Sequence, residues 1–249
     1  MNKAPQQVLL SPSLTFKSNV FVGLSSYFAR WRYLLRVSAK MLSIRLFDLF
    51  VAAMALLILA PLLLIVVCCI VIDSPGAIFY SQKRVGINGR IFKFWKFRSM
   101  VVNAEQQNDA LISDRGVADS VRFKMKQDPR ITRVGKFIRK YSIDELPQLW
   151  NVIKGDMSLI GPRPERPGFY QKLEQAIPFF AERTYGVTPG ITGLAQVNQG
   201  YDTCIEDVRN KDCYDHCYSL ALSNPSSWLR MDISIIFRTI IVVVMGRGQ

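Results

Sequence analysis

The feature that most constrains this chain is a run of 24 residues without a charge between Asp48 and Asp73 (LFVAAMALLILAPLLLIVVCCIVI). As a straight helix at ~1.5 Å per residue it reaches about 36 Å, enough to cross a hydrocarbon core of ~30 Å. It begins too far into the chain for a cleaved signal peptide. Pro61 stands near its middle, where it removes the hydrogen bond to the Leu57 carbonyl and bends or breaks a helix. Both flanks are basic, with no acid within 1–47 or 83–98: Arg30, Arg32, Arg36, Lys40 and Arg45 come before it, and Lys83, Arg84, Arg90, Lys93, Lys96 and Arg98 follow. Short basic flanks stay on the cytoplasmic side of a membrane, and here both flanks qualify. A helix that enters, breaks at Pro61 and returns to the same face satisfies both. A single Pro-kinked span is the alternative, because membrane helices tolerate proline when neighbours repair the backbone.

Charge narrows the partners. The chain has 249 residues, with 32 Lys and Arg against 19 Asp and Glu, a net charge of +13, yet 49% of its residues are hydrophobic. That apolar content excludes a disordered chain. Five cysteines without a compact framework argue against a disulfide-stapled secreted scaffold. His216 is the only histidine, so no multi-His zinc centre can be built within one chain. The basic excess points to an anionic partner: nucleic acid, lipid headgroups or a phosphorylated substrate. Aromatics among the cations at 91–98 would allow base stacking, but alternation within a hairpin explains them more simply, and no nucleic-acid partner is expected.

The chain divides into a basic leader over 1–40, a re-entrant membrane helix over 41–75 and a cytoplasmic domain over 76–249. Trp31–Arg45 mixes aromatic, apolar and basic residues and suits a helix lying on anionic lipid. Ile233–Met245 is apolar but too short to span and is interrupted by Arg238, so an interfacial helix or a buried core element is expected. Ile78–Tyr80 and Ile91–Phe94 flank Asn88-Gly89, which predicts a β-hairpin. Residues 101–120 are polar and read as helix plus loop. No glycine-rich nucleotide fingerprint and no D-x-D occurs.

The most informative stretch is Asp128–Glu165. Pro147 is favoured in a first helical turn, so a helix is predicted to start near 143–146, with Asp144 and Glu145 at its N-terminus. Ser142–Glu145 matches a capping box, which explains one acid well and an adjacent pair less well. A carboxylate kept ionised by amides and cations is equally a nucleophile or a metal ligand, and these residues alone leave the two readings open. Arg163 between Pro162 and Pro164 has a restrained backbone, which aims its guanidinium at a phosphate or simply shapes an extended loop. Paired acids, a phosphate clamp and an apolar anchor together point to phosphoryl transfer at a membrane surface.

KFRSM (96–100), DPRITRVGKFIRK (128–140), SIDELPQLWNVIKGDMSLIGPRPE (142–165) and PGITGLAQVNQGY (189–201) resemble the bacterial sugar transferases, or monotopic phosphoglycosyl transferases, over about residues 41–249. The resemblance implies a helix-rich, mixed α/β monotopic membrane protein with a re-entrant helix, interfacial amphipathic helices and a small β-hairpin. It implies an enzyme at the cytoplasmic face of the bacterial inner membrane that transfers a sugar-1-phosphate from a UDP-sugar to undecaprenyl phosphate and releases UMP. Exopolysaccharide, capsule, O-antigen or glycoconjugate synthesis would begin there. By the same resemblance Asp144 is the nucleophile and Glu145 the Mg²⁺ ligand. Lys96, Arg98, Arg139 and Arg163 hold phosphates, and Asp215 and Asp232 match further acidic positions. Many members carry Ser-Pro at the membrane break, whereas this chain has Ala60-Pro61.

Helices lying in the interface could pair two copies as a homodimer. The rival class is a non-catalytic basic membrane-surface adaptor for a polysaccharide-assembly partner. Cys204, Cys213, His216 and Cys217 lie within 14 residues, but C-x-x-H-C is not a known zinc knuckle. The last three read as a buried thiol face on one helix rather than a metal site.

Overall fold

The computed structural model describes residues 12–102, 104, 128–200 and 204–246, with side chains from Lys40 onward. Of the polar stretch 101–120, expected as helix plus loop, all but 101, 102 and 104 lies outside the described residues. The chain separates into two units, 1–47 and 48–249. Helix α1 covers Pro12–Asp73, so the stretch expected to lie on lipid, Trp31–Arg45, is helical.

The expected break at Pro61 is not seen. Residues on both sides of it belong to one continuous helix. Proline forfeits one backbone bond, and the bonds of neighbouring residues carry the helix across the gap. Within α1, Lys40–Asp73 is long and apolar enough to cross a membrane, judged by length and composition, and little of it is covered by protein. Phe50, Leu57, Ile58, Leu64, Ile65 and Ile72 are exposed.

Both ends of the apolar run are bonded to the same domain. Asp48 Oδ1 accepts from the Leu159 backbone N–H at 3.1 Å, and Asp73 Oδ2 accepts from that of Val134 at 2.9 Å. Near the first end, Ala52 packs with Phe92, Phe94, Leu149 and Val152. Near the second, Val66 and Ile70 pack with Phe97 and Ile138. Each of the buried Val, Leu, Ile and Phe side chains contributes roughly 1.5–3 kcal/mol.

The hairpin forms as the alternation predicts: β1 (Phe79–Val85) pairs antiparallel with β2 (Ile91–Phe97), from Phe79 opposite Phe97 to Val85 opposite Ile91. Asn88, at φ 53°, takes the left-handed conformation that asparagine tolerates, and Gly89 follows at φ 79°. Next come α2 (Arg133–Lys140) and a 3₁₀ turn over Ile143–Glu145, followed by α3 (Gln148–Lys154). A second, parallel pair joins β3 (Ser158–Ile160) to β4 (Gly190–Thr192), with α4 (Pro167–Ala176) and a 3₁₀ turn over Phe180–Thr184 between them. Gly190 is required at this crossing, because a Cβ there would sit 2.1 Å from the Gly161 nitrogen. Helices α5 (Leu194–Asn198), α6 (Ile205–Ala221) and α7 (Pro225–Val244) complete the domain.

The C-terminal apolar stretch is the last part of α7, and it is two-faced. Ile235 is fully buried, while Leu229, Ile233, Phe237, Ile240 and Val244 form an exposed row at helical spacing, as an interfacial helix requires. Arg238 is exposed beside Asn198.

Candidate active site

The dyad does not sit at an α-helix N-terminus. Ser142 adopts a left-handed conformation at φ 54° and its side chain makes no cap, so the expected capping box is not formed. Its strained backbone, of order 1–3 kcal/mol for a non-glycine residue, turns the chain from α2 into the 3₁₀ turn that carries Asp144 and Glu145. Pro147 follows as the N-cap of α3. Both acids are buried, at 5% and 9% exposure.

Two cations converge on Glu145. Lys96, from β2, donates to Oε1 at 2.5 Å. Arg163 donates to Oε1 at 2.8 Å and to Oε2 at 3.3 Å. Lys96 also lies 3.8 Å from Asp144 Oδ2. Burial disfavours the ionised form of Glu145, but Arg163 and Lys96 outweigh it and hold the carboxyl well below the usual range. Asp144 moves the other way: burial raises it, aided by the negative charge of Glu145 and opposed by Lys96, Arg139 and Arg163. Lys96 is lowered by its own burial.

The P-R-P segment follows β3. Pro162 and Pro164 are fully buried, as a restrained backbone implies, and only the Arg163 side chain reaches out. Its backbone is clamped by two arginines that sequence reasoning did not assign to the site. Arg183 donates to the Arg163 carbonyl at 2.9 Å, and Arg84 donates to the Pro164 carbonyl at 2.9 Å. Arg183 is paired with Asp215 at 2.6 Å, and Arg84 lies 3.6 Å from Glu165. Burial lowers Arg84 to about 10 and raises Asp215 to about 6. Arg84 was visible only as part of a charge block, and Arg183 lies in a stretch without a motif.

The remaining sequence candidates divide. Arg139 donates to Ser99 Oγ at 2.9 Å and adds to the field at Asp144. Arg98 is not with the dyad: its guanidinium donates to the Ser74 and Pro75 carbonyls and fastens the chain just after α1. Asp215 belongs to the Arg183 pair. Asp232 hydrogen-bonds Tyr218, whose hydroxyl is raised by burial and then by Asp232, in the core cluster with Ile160 and Ile235. The expected buried thiol face of Cys213, His216 and Cys217 is reversed: both cysteines are exposed and His216 is only partly buried, because α6 turns Asp212, Asp215 and Tyr218 inward instead. His216 lies 3.4 Å from Asp212.

Among the described residues, no group of three or more His, Cys, Asp or Glu could hold a metal by itself. The dyad supplies two carboxylates, and Glu145 Oε2 has one long contact, 3.3 Å from Arg163. That suits an ion such as Mg²⁺, which takes one or two protein carboxylates and completes its shell with water and phosphate oxygens.

These elements match the family described as bacterial sugar transferase over residues 39–246, and the chain belongs to that family. It is 43% identical over 201 residues to the UDP-N-acetylgalactosamine-undecaprenyl-phosphate N-acetylgalactosaminephosphotransferase of Aeromonas hydrophila, covering 81% of this chain and 43% of that protein. It is 42% identical over 213 residues to the undecaprenyl-phosphate glucose phosphotransferase of Komagataeibacter xylinus, covering 84% of this chain and 37% of that protein. With the exopolysaccharide production protein ExoY of Sinorhizobium fredii the identity is 35% over 212 residues, covering 84% of this chain and 88% of that protein. The chain thus spans less than half the length of the first two.

Proposed function

We propose that this protein transfers a sugar-1-phosphate from a UDP-sugar to undecaprenyl phosphate, releasing UMP, through a phosphosugar intermediate on Asp144. The observation that carries the reading is the pair of buried carboxylates on one turn, with Lys96 and Arg163 both crowded onto Glu145 and only Lys96, at 3.8 Å, near Asp144. Two cations on one carboxylate are more than that carboxylate needs, and a diphosphate can draw them away.

On this reading Lys96 and Arg163 shift from Glu145 to the diphosphate oxygens as the donor enters. Asp144, made more basic by burial, is the stronger nucleophile of the two once ionised. Its carboxylate oxygen attacks the β-phosphorus. The bond to the UMP oxygen breaks, and UMP leaves with the electron pair. A phosphate oxygen of undecaprenyl phosphate then attacks the same phosphorus, which frees Asp144 and leaves the sugar on a lipid diphosphate. Glu145, released from its cations, would hold Mg²⁺ together with phosphate and water oxygens. That ion supplies charge neutralisation across the diphosphate.

The proposed location rests on α1. A spanning helix leaves its ends on opposite sides of a bilayer, whereas Asp48 and Asp73 are bonded to one domain. This supports an α1 held by both ends of its apolar run at the cytoplasmic face, with the exposed row of α7 in the same interface and basic residues over anionic lipid.

The test is UMP release across a panel of UDP-sugars, with intact-mass detection of a phosphosugar adduct. Wild type should show both for its own sugar, and Asp144→Asn should show neither while still binding membrane. Normal turnover in Asp144→Asn would end the covalent mechanism. If wild type releases no UMP from any UDP-sugar, the adaptor reading takes its place.

A further inference from the structure

Glu145, Gln148 and Asn151 share one helical face. From the 3₁₀ turn the backbone stays right-handed helical through Leu146 and Pro147 into α3, so side chains three residues apart lie side by side. The two outer members of the row face β2. Glu145 accepts from Lys96. Asn151 accepts from the Trp95 backbone N–H at 3.1 Å and donates to the Lys93 carbonyl at 2.6 Å. Gln148 stands between them in the row and, like Asn151, is completely buried.

The two buried amides are used differently. Asn151 is bonded at both ends and stitches α3 to β2. Gln148 is bonded at neither: among the described residues, nothing pairs with its buried Nε2 or Oε1. Such an amide has given up water and received nothing for it, and an apolar side chain of the same shape would serve the free fold at least as well. The free fold therefore does not account for a glutamine here, one turn beyond the dyad.

A changed state of Glu145 does account for it. In the free site Lys96 and Arg163 occupy the Glu145 oxygens. A diphosphate that draws both cations away leaves a buried carboxylate uncompensated, which is strongly unfavourable. The Gln148 amide is one turn away and already desolvated, and its Nε2 has two hydrogens to donate. Being neutral, it can hold the carboxylate without itself being drawn to the phosphates.

We propose that Gln148 is a positioning residue for the transfer, idle in the free protein and donating from Nε2 to the Glu145 carboxylate once Lys96 and Arg163 have moved to the donor diphosphate. The inference rests on the reaction proposed above. The cations go to the substrate and the amide takes the carboxylate, so the turn that carries Asp144 keeps its place as the donor enters.

The experiment compares full-length wild type with Gln148→Met, which keeps the unbranched shape and removes both hydrogen-bonding ends. Without ligand the variant should melt no lower than wild type, because no bond of the free fold is lost. UDP probes the occupied site, since it carries the diphosphate and no sugar to transfer. Its Kd, from melting shifts or calorimetry with Mg²⁺ present, should weaken about tenfold, the low end for one hydrogen bond to a charged group. The burst of UMP from the UDP-sugar without acceptor should slow by a similar factor. A side chain that only packs would move neither quantity. A lower melting temperature in the free variant would show that the amide is already bonded in the free fold and would overturn the proposal, as would an unchanged UDP affinity or burst rate. Those results in an active wild type remove only the role of Gln148. A wild type that neither binds UDP nor releases UMP from any UDP-sugar removes the reaction itself.

Discussion

Two buried ion clusters meet in Arg163, which gives its side chain to one and its backbone carbonyl to the other. In the first, Lys96 and Arg163 share Glu145, Asp144 is 3.8 Å from the nearest cation, and side-chain exposures run from 7% to 21%. In the second, Arg183 binds Asp215 at 2.6 Å with exposures of 4% and 2%, Glu165 stands farther off at 3.9 Å, and the Phe180 ring lies 4.2 Å from the guanidinium. Each rests on a 3₁₀ turn entered through a left-handed residue, Ser142 in one case and Phe179 in the other. The difference is in how the charges are shared. An accessible, over-shared carboxylate can release its cations to an incoming phosphate. A sealed pair can only hold its neighbours in place. On the proposed reaction the first cluster performs the chemistry, and the second sets the aim of Arg163.

The sharpest way to break this comparison is to remove the residue that joins the clusters. Arg163→Ala should cost roughly 10²–10³ in kcat, the usual loss when one preorganised donor to a transferring phosphoryl group is removed. Arg163→Lys should recover only part of it, since lysine keeps the charge without the planar fork. Both are measured by UMP release at saturating donor. A loss below about tenfold would mean that the guanidinium serves Glu145 and not the substrate.

Glu145 and Asp215 should also respond to pH in opposite directions. Glu145 is held well below its ordinary value, so its contribution to stability is present above about pH 4.3 and is lost as pH falls through the depressed value. Asp215 is raised from 3.8 to about 6, so its contribution is complete below about pH 4 and disappears as pH rises through 6. A shift of about two units at ~1.4 kcal/mol each is about 3 kcal/mol. Thermal unfolding in detergent between pH 5 and 7.5 should show wild type losing ground to Asp215→Asn as pH rises. A flat difference would mean that Arg183 compensates the buried carboxylate fully.

Much of the first cluster was legible in the sequence, and little of the second. Asp144, Glu145, Lys96 and Arg163 stand in the motifs that carry the family resemblance, and that resemblance, more than the residue types alone, singled them out. The hairpin was legible because alternation and Asn88-Gly89 are local signals. What was not legible depends on partners distant in the chain. Arg98 looks like Lys96 in a basic block, yet it is turned to the Ser74 and Pro75 carbonyls. Asp144-Glu145 resembles a cap, but Lys96 and Arg163 compete for Glu145 and leave the backbone without it. Arg183 meets Asp215 across 32 positions, and no local pattern announces such a pair. The continuity of α1 through Pro61 rests on neighbouring backbone bonds, which a proline in a sequence does not reveal.

A smaller test addresses aim alone. Arg183 uses one fork to bind Asp215 and the Arg163 carbonyl together. Lysine can keep the first contact but cannot span both. Arg183→Lys should lower kcat/KM by about tenfold, less than the ~10²-fold that a badly misplaced group can cost. In an Arg163→Ala background the same substitution should have almost no effect, as a double-mutant cycle would show. Additive losses would mean that Arg183 acts on the protein independently of Arg163.

The smallest expected effect comes from the outer side of α6. That helix turns Asp212 and Asp215 inward and leaves Cys213 and Cys217 in solvent, so the sealed cluster owes nothing to the thiols. Cys213→Ser and Cys217→Ser should each change stability by less than about 0.5 kcal/mol, as exposed positions do. Both thiols should react with maleimide in the folded protein, and a zinc chelator should leave the melting temperature unchanged. A drop on chelation, reversed by zinc, would bring His216 and the cysteines together as ligands. The inner face of α6 would then be held by a metal as well as by the Arg183–Asp215 pair, and the contrast between an adaptable cluster and a sealed one would have to be drawn around that ion.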